Sequence, residues 1–480
     1  MHTYSIFKRL AFIVGPLVCI LFLLIPGHVF SETLDPVIAV AFWMIIWWIS
    51  EAVSISVTAL LPLALFPLLG VMDIKDVSGN YANPIVFLFF GGFVIALALE
   101  KVNLHKRIAL SILKLTGTKA NGIIFGFMLS TALMSMWISN TASTVVMLPI
   151  AVSVIRLLMN DEDGFTKNDR NFALSIMLGI AFGANIGGMA TLIGTPPNSV
   201  MLAFLNENYQ IDIGFFQWMK LGVPLAAIML TITYFLITRV FYRNGLGNIA
   251  ASGNIIDNEL KKLGPLSKGE KVVLVVFLLT ALAWVLRGSL NTWFPNLGLT
   301  DTTISMIAAL AMFIVPLNFK LGRFPLRWQD TEILPWGILI LFGGGLALAS
   351  GLTQAGFIDA IGDFISQQKD WSVWVITAVL IVLMLFMTEL MSNVALVTIL
   401  VPLVVGIAIG LDSPILQMVI PVTLAASCAF MLPMATPPNA IVFASGHVKV
   451  HQMARIGVVL NIISILLLIT VAYYMVPLLF

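Results

Sequence analysis

Two short polar motifs occur twice in this apolar sequence. Ser139-Asn140 is repeated 253 residues later as Ser392-Asn393, and Thr195-Pro196-Pro197-Asn198 is repeated 241 residues later as Thr436-Pro437-Pro438-Asn439. Consecutive prolines remove two backbone donors and forbid a continuous helix, so each Thr-Pro-Pro-Asn should expose free carbonyls and a helix N-terminus. Hydroxyl, amide and carbonyl oxygens suit small, hard cations. The motifs therefore predict two equivalent oxygen-lined pockets for a monovalent cation.

Further candidate residues occupy matching places in the two copies. Ser135 and Thr388 each lie five residues before the Asn of a Ser-Asn pair, and Gly194 and Ala435 directly precede the Thr-Pro-Pro-Asn motifs. Neither the Ser-Asn motifs nor the Pro-Pro motifs have a Lys or Arg beside them. An anion bound there would depend on helix N-termini, on amide and hydroxyl donors, and on the bound cations. The alternative is that these Ser and Asn side chains only hold helices together by hydrogen bonds.

Glu389 is the only carboxylate of the second Ser-Asn region, and Met136 stands at the equivalent position of the first. An ionisable group at membrane depth is functional by default, which favours a role in proton coupling. The alternative is a carboxylate that is hydrogen-bonded in the wall of the pocket. The sequence leaves both interpretations open.

The composition excludes a soluble protein. Of the 480 residues, 60% are hydrophobic and 10% are charged, whereas a typical soluble domain has about 25% charged residues. Cys19 and Cys428 lie in apolar runs and form no disulfide framework. His447 and His451 are four residues apart but lack an acidic third ligand, so we expect no metal site other than one for sodium. The sequence contains no phosphate-binding loop and no hydrolase motif, so we expect neither an enzyme nor a cofactor.

The apolar runs predict eleven transmembrane spans and two re-entrant helical hairpins, and hence an all-α polytopic membrane protein. Each hairpin carries a Ser-Asn pair near its middle and should enter and leave the membrane on one side. The predicted hairpins cover 120–158 and 371–411, and the predicted spans cover 10–30, 37–50, 53–71, 83–100, 172–206, 218–242, 272–287, 302–317, 336–352, 417–445 and 456–478.

Basic residues fix the orientation of this arrangement. With a cytoplasmic N-terminus, 21 of the 25 Lys and Arg residues lie inside, and Lys75, Lys220, Arg287 and Lys369 lie outside. If the hairpins crossed the membrane, the basic segment 239–271 would face outward. The C-terminus is then outside. The first apolar run lacks an Ala-x-Ala site, so we interpret it as an uncleaved span.

The repeated motifs indicate an inverted repeat. Phe90-Gly91-Gly92 also recurs, as Phe342-Gly343-Gly344, and the order of all three motifs is the same in both copies. The shorter offset of the Thr-Pro-Pro-Asn pair is explained by one polar insertion around 160–171. Five spans separate the two hairpins, so the hairpins open to opposite sides of the membrane. This organisation is typical of secondary transporters.

At these motifs the chain resembles the divalent anion/sodium symporter family, the INDY-type carriers of dicarboxylates, citrate or sulfate. The stretch Ala426–Val442 is similar to the family's sodium/sulfate symporter signature, and Ser139-Asn140-Thr141 matches its first hairpin tip. The resemblance covers essentially the whole chain. It implies sodium sites formed by Ser135, Ser139, Asn140 and Gly194 and by Thr388, Asn393 and Ala435, and substrate contacts from Ser139, Asn140, Thr141, Thr195, Ser392, Asn393, Thr436 and Pro437.

The resemblance also implies a homodimer in which each chain has a scaffold and a transport domain. The scaffold would comprise 1–118 (spans 1–4) and 246–370 (spans 7–9), and the transport domain 119–245 (hairpin 1, spans 5–6) and 371–480 (hairpin 2, spans 10–11). The second tip departs from the family pattern, because it reads Ser392-Asn393-Val394 where the family has Ser-Asn-Thr. The missing hydroxyl leaves the choice among dicarboxylate, tricarboxylate and sulfate open.

The sequence as a whole predicts a sodium-coupled importer of small divalent anions, with C4-dicarboxylates as the first choice of substrate. Alternatives with the same fold are a sulfate symporter, a proton-coupled carrier and a sodium-independent exchanger. A channel and a membrane-embedded enzyme are the alternatives from other classes. Short loops and the lack of an outward-facing glycosylation sequon favour a bacterial inner membrane, and the net charge of +2 gives no reason to expect a nucleic-acid partner.

Overall fold

The computed structural model describes residues 6–159, 165–367 and 371–480. These residues form helices and two isolated β-bridges, and no strand occurs among them. Lys369 and the first part of the predicted insertion, residues 160–164, lie outside the described residues.

The N-terminal quarter of the chain forms seven helices. They are α1 (Ile6–Leu23), α2 (Leu34–Ser50), α3 (Ile55–Thr58), α4 (Leu61–Leu68), α5 (Ile74–Tyr81), α6 (Pro84–Lys101) and α7 (Leu104–Thr116). The span predicted at 53–71 is not one helix, because a turn at Ala59 and Leu60 separates α3 from α4, which begins at Leu61 with Pro62 in its first turn. The basic helix α7 was not predicted. It is amphipathic and leads from α6 to the first Ser-Asn region.

The first copy of the paired motifs lies on the next five helices. They are α8 (Ala120–Ser135), α9 (Asn140–Met159), α10 (Lys167–Gly188), α11 (Pro196–Tyr209) and α12 (Phe215–Phe235), the last of which continues as a π-helix over Leu236–Phe241. The helix interruption between α8 and α9 contains Ser139, and the interruption between α10 and α11 contains Thr195. The break predicted at the first Thr-Pro-Pro-Asn motif is therefore present, and the first Ser-Asn pair also lies where one helix ends and the next begins.

The segment between the two copies comprises α13 (Ala250–Leu263), α14 (Lys268–Trp293), α15 (Asp301–Ile314), α16 (Trp336–Gln354) and α17 (Phe357–Ser366). The unpredicted amphipathic helix α13 packs on α7 through two ion pairs. Lys106 Nζ lies 2.7 Å from Glu259 Oε2, and Lys114 Nζ lies 2.7 Å from Asp257 Oδ1. The hydrogen bond from Lys106 lowers the pKa of Glu259.

The second copy has the same order of elements as the first. Its helices are α18 (Val373–Met387), α19 (Asn393–Gly410), α20 (Ile415–Ala425), α21 (Pro437–Ala444), α22 (Val450–Thr470) and α23 (Val476–Leu479). Ser392 is the N-cap of α19 and Thr436 the N-cap of α21, so the polar motifs again stand at helix starts. Half-helix N-termini are thus present at both Pro-Pro motifs.

Nine helices of the described residues are long and apolar enough to cross a membrane, and further apolar helices are shorter. Many large apolar side chains are exposed on the outer surface. On α1 and α14, for example, only 17% of the apolar helix segment is buried. Such surfaces are stable in contact with lipid. The chain is therefore a multi-pass helical membrane protein.

The recurring Phe-Gly-Gly motif allows α6 to pack closely on α15, and α16 to pack closely on the turn that follows α3. A Cβ atom on Gly91 would stand 2.2 Å from Ser305 Oγ of α15, and one on Gly344 would stand 2.0 Å from the carbonyl oxygen of Ala59. Real Cβ atoms do not approach other atoms so closely, so only glycine permits these contacts. The motif explains why α6 and α16, which occupy equivalent places in the repeat, are held tightly by their neighbours.

Candidate functional site

The first Ser-Asn region forms a compact oxygen cluster beside the first break. Ser135 Oγ lies 2.5 Å from Asn140 Oδ1 and 2.8 Å from the carbonyl oxygen of Ala184 on α10. A Cβ atom on Gly188 would stand 2.7 Å from Asn140 Oδ1 and 3.1 Å from the carbonyl oxygen of Gly194. Three of the four residues predicted for the first cation pocket, Ser135, Asn140 and Gly194, thus come together around the bare backbone of Gly188. The side chain of the fourth, Ser139, is exposed and caps α9.

The second Ser-Asn region repeats this cluster. Thr388 Oγ1 lies 2.6 Å from Asn393 Oδ1 and 2.7 Å from the carbonyl oxygen of Ala426. Thr388 and Asn393 occupy the positions of Ser135 and Asn140, and Ala426 occupies that of Ala184. The structure therefore brings the first two predicted residues of the second pocket together. The third, Ala435, lies in the break, where its N–H bonds to Leu432.

In each cluster the hydroxyl proton is outnumbered by the acceptor oxygens that it faces. The hydroxyl of Ser135 or Thr388 has one proton, and it faces two acceptors, an amide oxygen and a backbone carbonyl. Both hydroxyl side chains are fully buried. Lone pairs that converge in a buried place without matching protons attract a small cation, and oxygen ligands suit sodium. The predicted cation pockets require converging oxygen atoms of this kind.

The predicted substrate residues of the two tips differ in exposure. Ser139 and Thr141 are exposed, whereas Ser392, Asn393 and Val394 are partly buried. Ser139 Oγ accepts a hydrogen bond from the N–H of Ala142 at 3.1 Å, and Ser392 accepts the equivalent bond from Ala395. Both serines therefore cap the helix that follows. Among the described residues, no hydrogen bond joins one tip to the other.

The two breaks are held by their own asparagines. Asn198 Nδ2 donates to the carbonyl oxygen of Thr191 at 3.0 Å, and Asn439 Nδ2 donates to that of Leu432 at 3.1 Å. Both asparagines are fully buried. The last residue of each Thr-Pro-Pro-Asn motif thus closes the turn back onto unwound backbone. This leaves the predicted substrate residues Thr195 and Thr436 at the start of α11 and α21.

Glu389 is bound to the unwound backbone of the second break. Its Oε1 accepts hydrogen bonds from the N–H groups of Phe430 and Met431 and from Asn461 Nδ2, each at 2.9 Å, and its Oε2 accepts one from Leu432 N–H at 3.0 Å. The side chain is buried. All four partners are donors, so the ionised carboxylate is satisfied where it stands. This geometry favours the interpretation of Glu389 as a carboxylate that is hydrogen-bonded in the wall of the pocket over a role in proton coupling.

Two functional candidates were missed by sequence reasoning. Asn185 lies in α10 and contacts the second break, and Asn461 lies in α22 and contacts Glu389. Both are buried, with exposures of 1% and 0%. Each of the two asparagines could have been recognised in the sequence as a single amide in an otherwise apolar run. In a membrane helix such an amide indicates a hydrogen-bond partner on another helix. The partner itself could not be read from the sequence.

The half-helices that leave the two breaks have different surroundings. α11 is buried from Pro197 to Leu205, whereas α21 exposes Pro437, Ala440 and Ala444 along one face. Helix α9 exposes Thr141 and Val145. The two Thr-Pro-Pro-Asn motifs thus begin one buried helix and one partly exposed helix. Over the described residues, no group of three or more His, Cys, Asp or Glu side chains is placed to hold a metal ion.

Proteins of known function resemble this chain over nearly its whole length. A sodium-dependent dicarboxylate transporter of Staphylococcus saprophyticus is 36% identical over 481 residues, which cover 99% of this chain and 92% of the relative. The protein of the same name from Staphylococcus aureus is 36% identical over 445 residues, covering 92% of this chain and 86% of the relative.

Solved structures show the same fold at low sequence identity. The YdaH transporter of Alcanivorax borkumensis matches with a TM-score of 0.54 and 11% identity, covering 82% of this chain and 86% of that protein. The MtrF efflux pump of Neisseria gonorrhoeae matches with a TM-score of 0.51 and 10% identity, with 83% of each chain covered. These two likenesses concern the fold alone.

The family model described as the sodium:sulfate symporter transmembrane region matches residues 4–480. This match agrees with the paired oxygen clusters, the two broken spans and the relatives. The chain belongs to the sodium:sulfate symporter family.

Proposed function

We propose that this protein imports C4-dicarboxylates together with sodium ions by alternating access. The observation that carries the proposal is the duplicated oxygen cluster, Ser135 with Asn140 and Thr388 with Asn393, beside two broken spans. The relatives named as sodium-dependent dicarboxylate transporters support the choice of ion and substrate. The protein then needs no cofactor and performs no chemical reaction on its substrate.

Charge explains why cations should accompany the anion. Moving a dianion inward against a potential of about 100 mV, negative inside, costs about 2.3 kcal/mol per charge. Two sodium ions cancel this cost and neutralise an anion that has no Lys or Arg beside it. The two clusters provide two such sites. A third ion would make import electrogenic.

The asymmetry of the repeat supports alternating access. Inverted repeats can exchange their conformations, which turns a site that is open to one side into a site that is open to the other. The exposed α21 and the buried α11 correspond to one of these two arrangements. The transport domain in this proposal contains residues 119–245 and 371–480, and the scaffold contains 1–118 and 246–370. The scaffold forms the contact of a homodimer.

Uptake into proteoliposomes tests the proposed function. Succinate, malate, citrate and sulfate should be offered with an inward sodium gradient and with choline in place of sodium. We expect sodium-dependent succinate uptake, and we expect Asn140→Ala and Asn393→Ala each to weaken both sodium dependence and substrate affinity. Full uptake in choline, driven by a proton gradient, would show that the protein is a proton-coupled carrier instead.

The proposed topology has eleven spans, two re-entrant hairpins, a cytoplasmic N-terminus and an external C-terminus. It predicts that Lys262→Cys and Asp363→Cys, in a background without Cys19 and Cys428, are labelled from opposite sides of the membrane. Lys262 lies on α13 and Asp363 on α17, both outside the predicted spans. Labelling from the same side would refute the inverted repeat.

Val394 provides a test of substrate choice. It follows Asn393 at the second tip, where the family pattern has a threonine, and it is partly buried. Val394→Thr should change the ranking of the four anions and leave the sodium half-saturation concentration within about twofold. A hydrogen bond of this kind contributes about 0.5–1.5 kcal/mol. An unchanged ranking would show that the Val394 side chain does not face the substrate.

A further inference from the structure

Asn185 links the first cation cluster to the second break. It directly follows Ala184, whose carbonyl oxygen contacts Ser135 at 2.8 Å. Its own Nδ2 lies 3.1 Å from Thr436 Oγ1, 3.2 Å from Asn439 Oδ1 and 3.2 Å from the carbonyl oxygen of Ala429. The side chain is 1% exposed. A single amide from the first repeat therefore reaches the start of α21 in the second.

The orientation of the amide follows from its partners. The Ala429 carbonyl oxygen can only accept, so the Asn185 atom beside it must be the donating NH2 group. Asn439 confirms this polarity, because its own Nδ2 already donates to Ala429 and Leu432, which leaves its Oδ1 to face Asn185. Asn185 is thus a hydrogen-bond donor to the second break.

This polarity determines where the Thr436 proton points. An amide nitrogen has no lone pair to accept a hydrogen bond, so Thr436 Oγ1 must accept from Asn185. The N–H of Asn439, 3.4 Å from the same oxygen, is likewise a donor. Neither of these two donor groups can accept the hydroxyl proton of Thr436, and no hydrogen bond from Thr436 Oγ1 to another described residue is present. The proton is therefore free for a partner at the N-terminus of α21, where the adjacent Pro437 is exposed.

The first break lacks this arrangement. Judged by the carbonyl groups that accept from Ser135 and Thr388, the counterpart of Asn185 is Ser427, which directly follows Ala426 as Asn185 follows Ala184. The 241-residue offset of the Thr-Pro-Pro-Asn motifs would instead pair Asn185 with Ala426, which also has no amide side chain. Ser427 is shorter, and its buried hydroxyl has no hydrogen-bond partner in the described part of the chain. Thr195, the counterpart of Thr436, makes no side-chain capping bond. The two breaks are chemically different despite their identical motifs.

We propose that Asn185 is a positioning residue that fixes Thr436 as a hydrogen-bond donor to a carboxylate of the transported anion. The inference rests on the proposed function, since it assigns Thr436 to that site. The oriented hydroxyl of Thr436 then supplies the second half of the site with a hydrogen-bond donor, which the tip residue Val394 lacks. The anion then receives its orientation from the second break more than from the first.

A double-mutant cycle tests this proposal, with succinate uptake measured in proteoliposomes at saturating sodium. Asn185→Ala and Thr436→Val should each raise the KM for succinate about tenfold, which corresponds to about 1.4 kcal/mol. The double variant should be no worse than either single variant, because both remove the same hydrogen bond to the anion. Thr436→Ser keeps the hydroxyl and should give a lower KM than Thr436→Val.

The control is Ser427→Ala, at the equivalent place in the other repeat, which should leave the KM unchanged. If the increases in KM caused by Asn185→Ala and Thr436→Val multiply in the double variant, the proposal is wrong. It is also wrong if the variants lower kcat without changing KM. If Asn185→Ala does not fold, a wild-type KM in Thr436→Val still overturns it.

The wild-type control separates this proposal from the proposed function. Uptake of sulfate in place of succinate, or uptake without sodium, would refute the proposed substrate or coupling. The same cycle, measured with the anion that is transported, would still decide whether Asn185 acts through Thr436.

Discussion

Glu389→Leu is expected to abolish uptake and to destabilise the protein severely. Leucine leaves the N–H groups of Phe430, Met431 and Leu432 without their acceptor, in a segment that is buried at Phe430 and partly buried at the next two residues. Each unsatisfied buried donor costs about 1–3 kcal/mol. The total is comparable with the whole stability of an ordinary domain, about 5–15 kcal/mol. Thermal unfolding of the detergent-solubilised protein and succinate uptake are the two measurements.

Glu389→Gln separates structural support from proton transfer. Glutamine preserves the size of the side chain but turns one oxygen into an NH2 group, which then faces a donor. We expect a folded protein with a lower melting temperature and strongly reduced sodium-driven uptake. Met136→Leu, at the equivalent place in the first repeat, is the matched control and should behave as wild type. If wild-type uptake follows a proton gradient and Glu389→Gln removes only that dependence, Glu389 is a proton carrier.

Gly188→Ala is expected to raise the sodium half-saturation concentration at least tenfold. The new methyl group would stand 2.7 Å from Asn140 Oδ1 and 3.1 Å from both Asn140 Nδ2 and the carbonyl oxygen of Gly194. Asn140 Oδ1 and the Gly194 carbonyl oxygen belong to the first cluster, so the side chain of Asn140 must move out of it. Inserting a methyl group into a tightly packed site costs about 1–3 kcal/mol.

The matched control for this variant is Gly179→Ala on the same helix. There the nearest atom to the new methyl group is Met128 Cβ at 3.5 Å, an ordinary contact. Sodium titration of succinate uptake should give wild-type values for Gly179→Ala and weakened binding for Gly188→Ala. Equal sodium dependence in the two variants would mean that Asn140 does not ligate sodium beside Gly188.

The sequence by itself determined the class of protein, the repeat and the helix breaks. Apolar runs, prolines and N-capping residues act on the chain within a few residues, so their effects are readable without knowing the fold. The start of α11 at Pro196 and of α21 at Pro437 were predictable for this reason. Recurrence of the Ser-Asn pair also identified Ser135 with Asn140 and Thr388 with Asn393 as candidate pairs, since each pair lies within one local turn.

Only the tertiary structure decided which distant groups meet. Asn185 and Thr436 are 251 residues apart, and Glu389 is 72 residues from Asn461, so their contacts depend on how the helices pack. The same packing makes Gly188 a contact point for Asn140. It also breaks the equivalence of the repeats, because a long amide on α10 reaches the second break while the shorter Ser427 makes no matching bond. Side-chain length and helix packing, which a local motif does not encode, therefore make two identical motifs chemically different.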